Sequence, residues 1–247
     1  LIMSKYEHGS KKAKLFLGLT ISVDLVLLGI FKYGSFILSN IKFFTGFPAK
    51  VPSIMLPIGI SFYTFQLITY CVDVYRGDAR PQRSFKTLLL YVSLFHQCIA
   101  GPIVRYKDIC AELEERRASQ FDIAEGINRF TVGLAKKAII ANTCAALADT
   151  MLVPDGGDFS LLASKSVLSL WVGVLAFTLQ IYIDFSAYSD MAIGMGKMIG
   201  IHYTENFDYP YISSSVSEFW RRWHITLGSF FRDYLYIPLG GSRCGKV

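Results

Sequence analysis

Apolar residues run through this chain in long blocks separated by short charged stretches. The first block covers residues 15–31 and extends to about Tyr33. At 1.5 Å rise per residue it just reaches the roughly 20 residues needed to cross hydrocarbon. Lys5, Lys11, Lys12 and Lys14 precede it and mark that side as cytoplasmic. Asp24 lies inside the block, so this helix is expected to pack in a bundle. The patch at 35–47 is too short to span alone; it either continues the first helix or lies in the interface. The block at 51–75 is interrupted by Pro52, Pro57 and Gly59. A broken or re-entrant start is expected there, then a helix from about Ile60. Arg76, Arg80, Arg83 and Lys86 follow as a second cytoplasmic marker.

Residues 88–104 form a further apolar block that holds His96 and Gln97 and stops at Ala100-Gly101-Pro102. Residues 105–120 are charged and read as a short amphipathic helix or a loop. Residues 121–151 have a helical pattern with Lys136 and Lys137 at the middle. Two adjacent lysines argue against a spanning helix, so an interfacial helix leading into an apolar half at 138–152 is expected. PDGGDF at 154–159 is a turn. The cleanest apolar block, 167–183, flows into DFSAYSD and then MAIGMGKMIGI. This predicts a spanning helix, a polar break at 184–190 and a second helix. Residues 202–215 form an aromatic, polar connector.

The most distinctive stretch is 213–241, SSSVSEFWRRWHITLGSFFRDYLYIPLGG. Ser215 and Glu218 have capping-box spacing, so a helix should begin near Val216. Pro238 and Gly240-Gly241 should end it. A single helix would put Trp220, Trp223, His224, Leu227 and Phe231 on one face, and Arg222, Thr226, Ser229 and Asp233 on another. Glu218 and Arg222 would form an ion pair along it.

Composition supports the blocks. The 247 residues are 52% apolar and 18% charged, against roughly 25% charged in soluble domains; the mean hydropathy is +0.39. This describes an all-α, polytopic membrane protein, read as a single integral membrane domain over 1–247. The net charge of +6 comes from basic residues placed between apolar blocks. That distribution fits an anionic lipid bilayer surface and argues against nucleic acid. The five cysteines make no CxxC pair and read as buried hydrophobes, with no metal site. The chain opens on Leu1 and stops at Gly-Lys-Val, so it reads as a piece of a longer protein lacking both ends.

His224 is the leading candidate for chemistry. A neutral imidazole there could accept a hydroxyl proton or orient a carbonyl; the alternative is a structural histidine in a bundle. Asp184 and Asp190, six apart, face different sides of a helix. They either line a polar cavity or pair with arginines. Arg221, Arg222 and Arg232 are candidates for phosphate or the pantetheine-nucleotide part of a cofactor, or for plain anchoring. Trp220 and Trp223 complete the substrate or tunnel candidates. His96 reads as a core histidine, and His8 and His202 as solvated or structural. The glycines of AIGMGKMIG fit helix packing better than a dinucleotide fingerprint.

Four stretches together resemble the membrane-bound O-acyltransferase family, and within it the bacterial alginate O-acetylation branch. They are LPIGISFYTFQLITYCVDVYRG (56–77), AGPIVRY (100–106), DFSAYSDMAIGMGKMIGI (184–201) and ENFDYPYISSSVSEFWRRWHITLGSFFRDYLYIPLGGSR (205–243). The resemblance implies a ring of tilted transmembrane and re-entrant helices around a central tunnel in the inner (plasma) membrane. It implies transfer of an acyl group from a cytoplasmic thioester donor, acyl-CoA and by branch acetyl-CoA, to a hydroxyl of an exopolysaccharide or cell-wall polymer. An extracytoplasmic acetyltransferase-like partner is implied too. His224 matches the first of two family histidines and takes a supporting role. The second belongs to a downstream helix beyond Val247, so this chain alone is expected to be inactive. Gly228 departs from the Ser common in the block. A transporter or a scaffold subunit is the competing class.

Overall fold

The computed structural model describes residues 6, 10–46, 54–98, 101–153 and 159–243. Among these, all regular structure is helical. Among the described residues, three helices are long and apolar enough to cross a membrane: Lys11–Thr45, Gln120–Leu152 and Val167–Met198. The chain divides into two compact units. One takes 1–99, 103–115 and 226–247, and the other takes 100–102 and 116–225.

In the first unit, α1 (Lys11–Thr45) is capped by Ser10, whose Oγ accepts the Ala13 N–H at 3.2 Å. It ends at Gly46, which has a φ of 65°. The described part of the apolar patch therefore continues the first helix, through Thr45. No proline interrupts the stretch, and its large apolar side chains, including Leu15, Phe36 and Phe43, are exposed as a lipid-facing helix requires. Helix α2 (Ile60–Arg76) begins after Gly59, at the expected position. Gly59 has a φ of 77°, and a Cβ there would sit 3.1 Å from the Cys98 Cβ.

Helix α2 buries Thr64, Gln66, Thr69 and Asp73. Gln66 donates to Gln97, and the Tyr234 hydroxyl donates to Asp73 at 2.7 Å. Helix α3 (Phe85–Ser93) is followed by a 3-10 turn in which His96 is buried, as a core histidine should be. Helix α4 (Tyr106–Glu114) buries Tyr106, Ile109 and Leu113, the helical stripe that makes it amphipathic.

The second unit is built on a long antiparallel hairpin. Helix α5 (Gln120–Ala135) opens with a reciprocal Ser119–Asp122 capping box. A π-helical turn at Lys136–Ala141 carries it without interruption into α6 (Asn142–Leu152). Helix α7 (Val167–Met198) returns along it. One expectation fails here, because no break interrupts α7 at 184–190. The helical path also runs on past Lys136 and Lys137. Lys137 pairs with Asp184, while Lys136 donates to Asp190 at 2.8 Å. Each of these charges has an opposite charge on the facing helix, so its desolvation is offset and neither helix gains by unwinding.

Small residues let these helices meet. A Cβ on Gly194 would lie 2.7 Å from the Gly126 carbonyl oxygen and 2.8 Å from the Phe130 nitrogen. Backbone atoms cannot swing aside, so this is the packing role expected of the AIGMG glycines. Gly194→Leu is expected to separate the hairpin and lower stability by about 3 kcal/mol, the upper range for overpacking. Gly18→Leu, whose Cβ would meet nothing within 4 Å, should leave the unfolding temperature in detergent unchanged. Equal shifts in the two variants would refute the packing role.

The stretch at 213–241 does not form one helix. It forms α8 (Val216–Arg222) and α9 (Ile225–Phe231), followed by a π-helical turn at Arg232–Tyr236. His224 has a φ of 45°, which turns the chain between α8 and α9. Trp223 and His224 therefore leave the face that was expected to carry Leu227 and Phe231. The N-terminal signal holds in part. The Ser215 Oγ accepts the Glu218 N–H at 3.1 Å, but the Glu218 carboxylate reaches back to Ser214 rather than Ser215.

Candidate functional site

The segment after α7 is held against the α8–α9 junction by two backbone hydrogen bonds. The Asp208 N–H donates to the Arg222 carbonyl and the Ile225 N–H to the Asn206 carbonyl, both at 2.9 Å. These bonds bracket His224 and hold it in the left-handed region. A non-glycine residue there costs of order 1–3 kcal/mol, and such strain concentrates at functional sites. Tyr209, the other non-glycine residue with a positive φ among the described residues, lies in the same segment at 42°.

The His224 ring is fixed on several sides. Its Nδ1 lies 2.9 Å from the Oδ1 of fully buried Asn206. Phe185 presents an edge at 4.9 Å between centroids, and Phe207 lies parallel at 6.4 Å. Burial pushes the imidazole down to about 4, so it is neutral at physiological pH and available as a proton acceptor. Trp223 joins the same aromatic group, with Phe207 edge-on at 5.2 Å and Phe219 stacked at 5.6 Å.

A cavity of about 560 Å³ opens beside this junction, walled by Arg129, Lys136, Tyr182, Ser189, Asp190 and Tyr209 among others. Asp190 is its electrostatic centre. It accepts from Lys136 and, at 2.9 Å, from the Arg129 guanidinium, whose remaining nitrogen bonds Glu205. Buried Ser189 carries a hydroxyl with no hydrogen-bond partner among the described residues.

A model of the membrane-bound O-acyltransferase family matches residues 79–247. The chain belongs to that family. It is 45% identical over 238 residues to the probable alginate O-acetylase AlgI of Pseudomonas aeruginosa, covering 95% of this chain and 44% of that protein. The peptidoglycan O-acetyltransferase of Helicobacter pylori is 36% identical over 264 residues, covering 96% and 48%. The teichoic acid D-alanyltransferase of Bacillus subtilis is 26% identical over 184 residues, covering 73% and 45%. The chain spans under half the length of these relatives.

Within this family member, the candidates separate into distinct groups. His224 and Trp223 lie together at the α8–α9 junction. Asp190 lies in the cavity wall, whereas Asp184 lies elsewhere on α7 with Lys137 and with Gln180 at 3.1 Å. Arg222 is occupied by Glu218 and Asp208, each at 3.0 Å, so its evident work is structural. Arg232 is paired with Asp233 at 2.7 Å. Trp220 is 61% exposed and Arg221 is also exposed, both on α8. His202 lies 3.6 Å from Asp122, and His8 is outside the described residues. The sequence reading missed Asn206, Arg129 and Glu205. Asn206 and Glu205 stand in the ENFDYPY block, but their partners are distant in the chain, and no local spacing signals such pairs.

Proposed function

We propose that the protein containing this chain is a multi-pass inner-membrane acyltransferase, with 1–247 part of a single integral membrane domain. It transfers an acyl group, acetyl by branch, from a cytoplasmic thioester such as acetyl-CoA to a hydroxyl of an exported polysaccharide. An extracytoplasmic partner acts with it. The observation that carries this reading is His224, a neutral, half-buried imidazole held in a strained backbone conformation inside the family's most specific block.

The chemistry needs such a group. A sugar hydroxyl is a weak nucleophile near neutral pH and requires a proton acceptor within hydrogen-bond reach. The hydroxyl oxygen attacks the thioester carbonyl carbon, the C–S bond breaks, and the hydroxyl proton passes through the base to the departing thiolate. His224 supports this step by orienting the reacting groups or holding the proton. Arg221 and Trp220, exposed on α8, suit the phosphate and the flat base of a nucleotide-bearing donor. Asp190 and its cations keep the cavity polar, with Arg129 and Lys136 set against Asp190 and Glu205.

The test uses the whole protein in inverted membrane vesicles with radiolabelled acetyl-CoA and separate alginate, peptidoglycan and teichoic acid preparations. Label is expected in one polymer as an alkali-labile ester. No label in any polymer, with acetyl-CoA or an acyl-carrier thioester as donor, would overturn the reading.

A further inference from the structure

We propose that Asn206 is the positioning residue for His224, fixing the imidazole tautomer that has its proton on Nδ1 and its lone pair on Nε2. The side-chain carbonyl oxygen of Asn206 lies 2.9 Å from Nδ1. With the amide oxygen, which only accepts, facing the ring, the Nδ1 nitrogen carries the hydrogen. A histidine side chain free in water favours the opposite tautomer. The contact therefore selects a state that the imidazole would not adopt by default, and leaves Nε2 as the nitrogen able to accept a proton.

Two features separate this from ordinary core packing. Asn206 holds the turn at His224 twice and by different atoms, once at Ile225 and once at the His224 ring. Its backbone carbonyl takes the Ile225 N–H and sets the turn, while its side chain reaches the ring. Residue 206 could hold the turn with any side chain, so the amide serves the ring. The amide is also neutral. An aspartate in its place would stabilise the imidazolium and keep the proton. The asparagine orients the ring without raising its basicity, and burial keeps it neutral.

Apart from Arg221, which is exposed on α8, the charged groups nearest the ring are held in ion pairs. Arg222 holds Glu218 and Asp208, Glu205 and Asp190 hold Arg129, and Asp184 holds Lys137. That leaves the Asn206 amide as the polar group set against the ring.

The role rests on the reading of His224 as a working imidazole, but its first test does not depend on turnover. The whole protein, labelled with nitrogen-15 histidine and placed in lipid nanodiscs, gives the tautomer directly from the ring nitrogen shifts, with His224→Gln assigning the signal. The expected result is a protonated Nδ1, an unprotonated Nε2 and titration near pH 4. In Asn206→Asp the titration should move up by about one unit or more, and in Asn206→Leu the tautomer preference should be lost. A proton on Nε2 in the native protein, or an unmoved titration in Asn206→Asp, would overturn the proposal. In the acyl-transfer assay, Asn206→Asp should shift the acid limb of the pH–rate profile upward. Transfer with an unmoved limb would count against Asn206 alone. Absence of transfer in the native protein would count against the acyltransferase reading and leave the tautomer measurement to decide the role of Asn206.

Discussion

Asp190→Ala is expected to lower the stability of the protein by about 3 kcal/mol, whereas Asp184→Ala should cost under about 1 kcal/mol. Both carboxylates lie on α7 inside a candidate span and both face lysines of the π-helical turn. They differ in what they leave behind. Asp190 is 18% exposed and holds two cations, Arg129 and Lys136. Deleting it leaves both in a poorly hydrated interface, with Glu205 able to satisfy only Arg129. Asp184 holds one lysine that is itself 40% exposed and can turn its ammonium toward water.

Removing one member of a buried pair is costly because the survivor keeps its desolvation without its attraction. Asp190→Leu combined with Lys136→Met should therefore recover part of the loss. Thermal unfolding in detergent at low and high salt checks the order of the variants. Equal effects at the two aspartates would show that the cavity cluster does not hold the hairpin.

The elements that sequence pattern predicted well are those defined by local chemistry. Helix α2 starts after Gly59 because the glycine adopts a positive φ and Pro57 just before it disfavours a helix upstream. At 105–120 the pattern allows a short amphipathic helix or a loop, and the burial of Tyr106, Ile109 and Leu113 on one face of α4 decides for the helix. The failures share a different cause. Helix α7 runs unbroken through 184–190 because its aspartates are neutralised by residues about fifty positions earlier. The α8–α9 turn was hidden because His224 is not a glycine, and its positive φ is enforced by a backbone bond from Ile225 to Asn206. The site shows the same division. His224 was legible from the tryptophan-arginine-histidine block, while Asn206 and Arg129 became visible only when the chain brought them to their partners.

The second large effect concerns turnover. His224→Ala removes the imidazole and the acceptor at Nε2. General acid–base groups contribute typically 10²–10⁴-fold to a rate, so a loss of about that size is expected. Folding should change little by comparison. The backbone bonds from Asp208 and Ile225 do not use the ring, and alanine relieves none of the clamp they impose. His224→Gln should also be inactive, because it restores bulk and a polar end without a titratable nitrogen. His96 supplies a control. It is buried in the first unit, with the Phe95 ring edge-on to it, so a conservative change there should lower stability more than it lowers the turnover of properly folded protein.

The most direct measurement is therefore acyl transfer by the whole protein in vesicles, native against His224→Ala, with inserted protein equalised by immunoblot. The predicted result is label transfer that falls by about 10²-fold or more while insertion and thermal stability stay near native. Undiminished transfer by the alanine variant would contradict the assignment of the imidazole to acyl transfer.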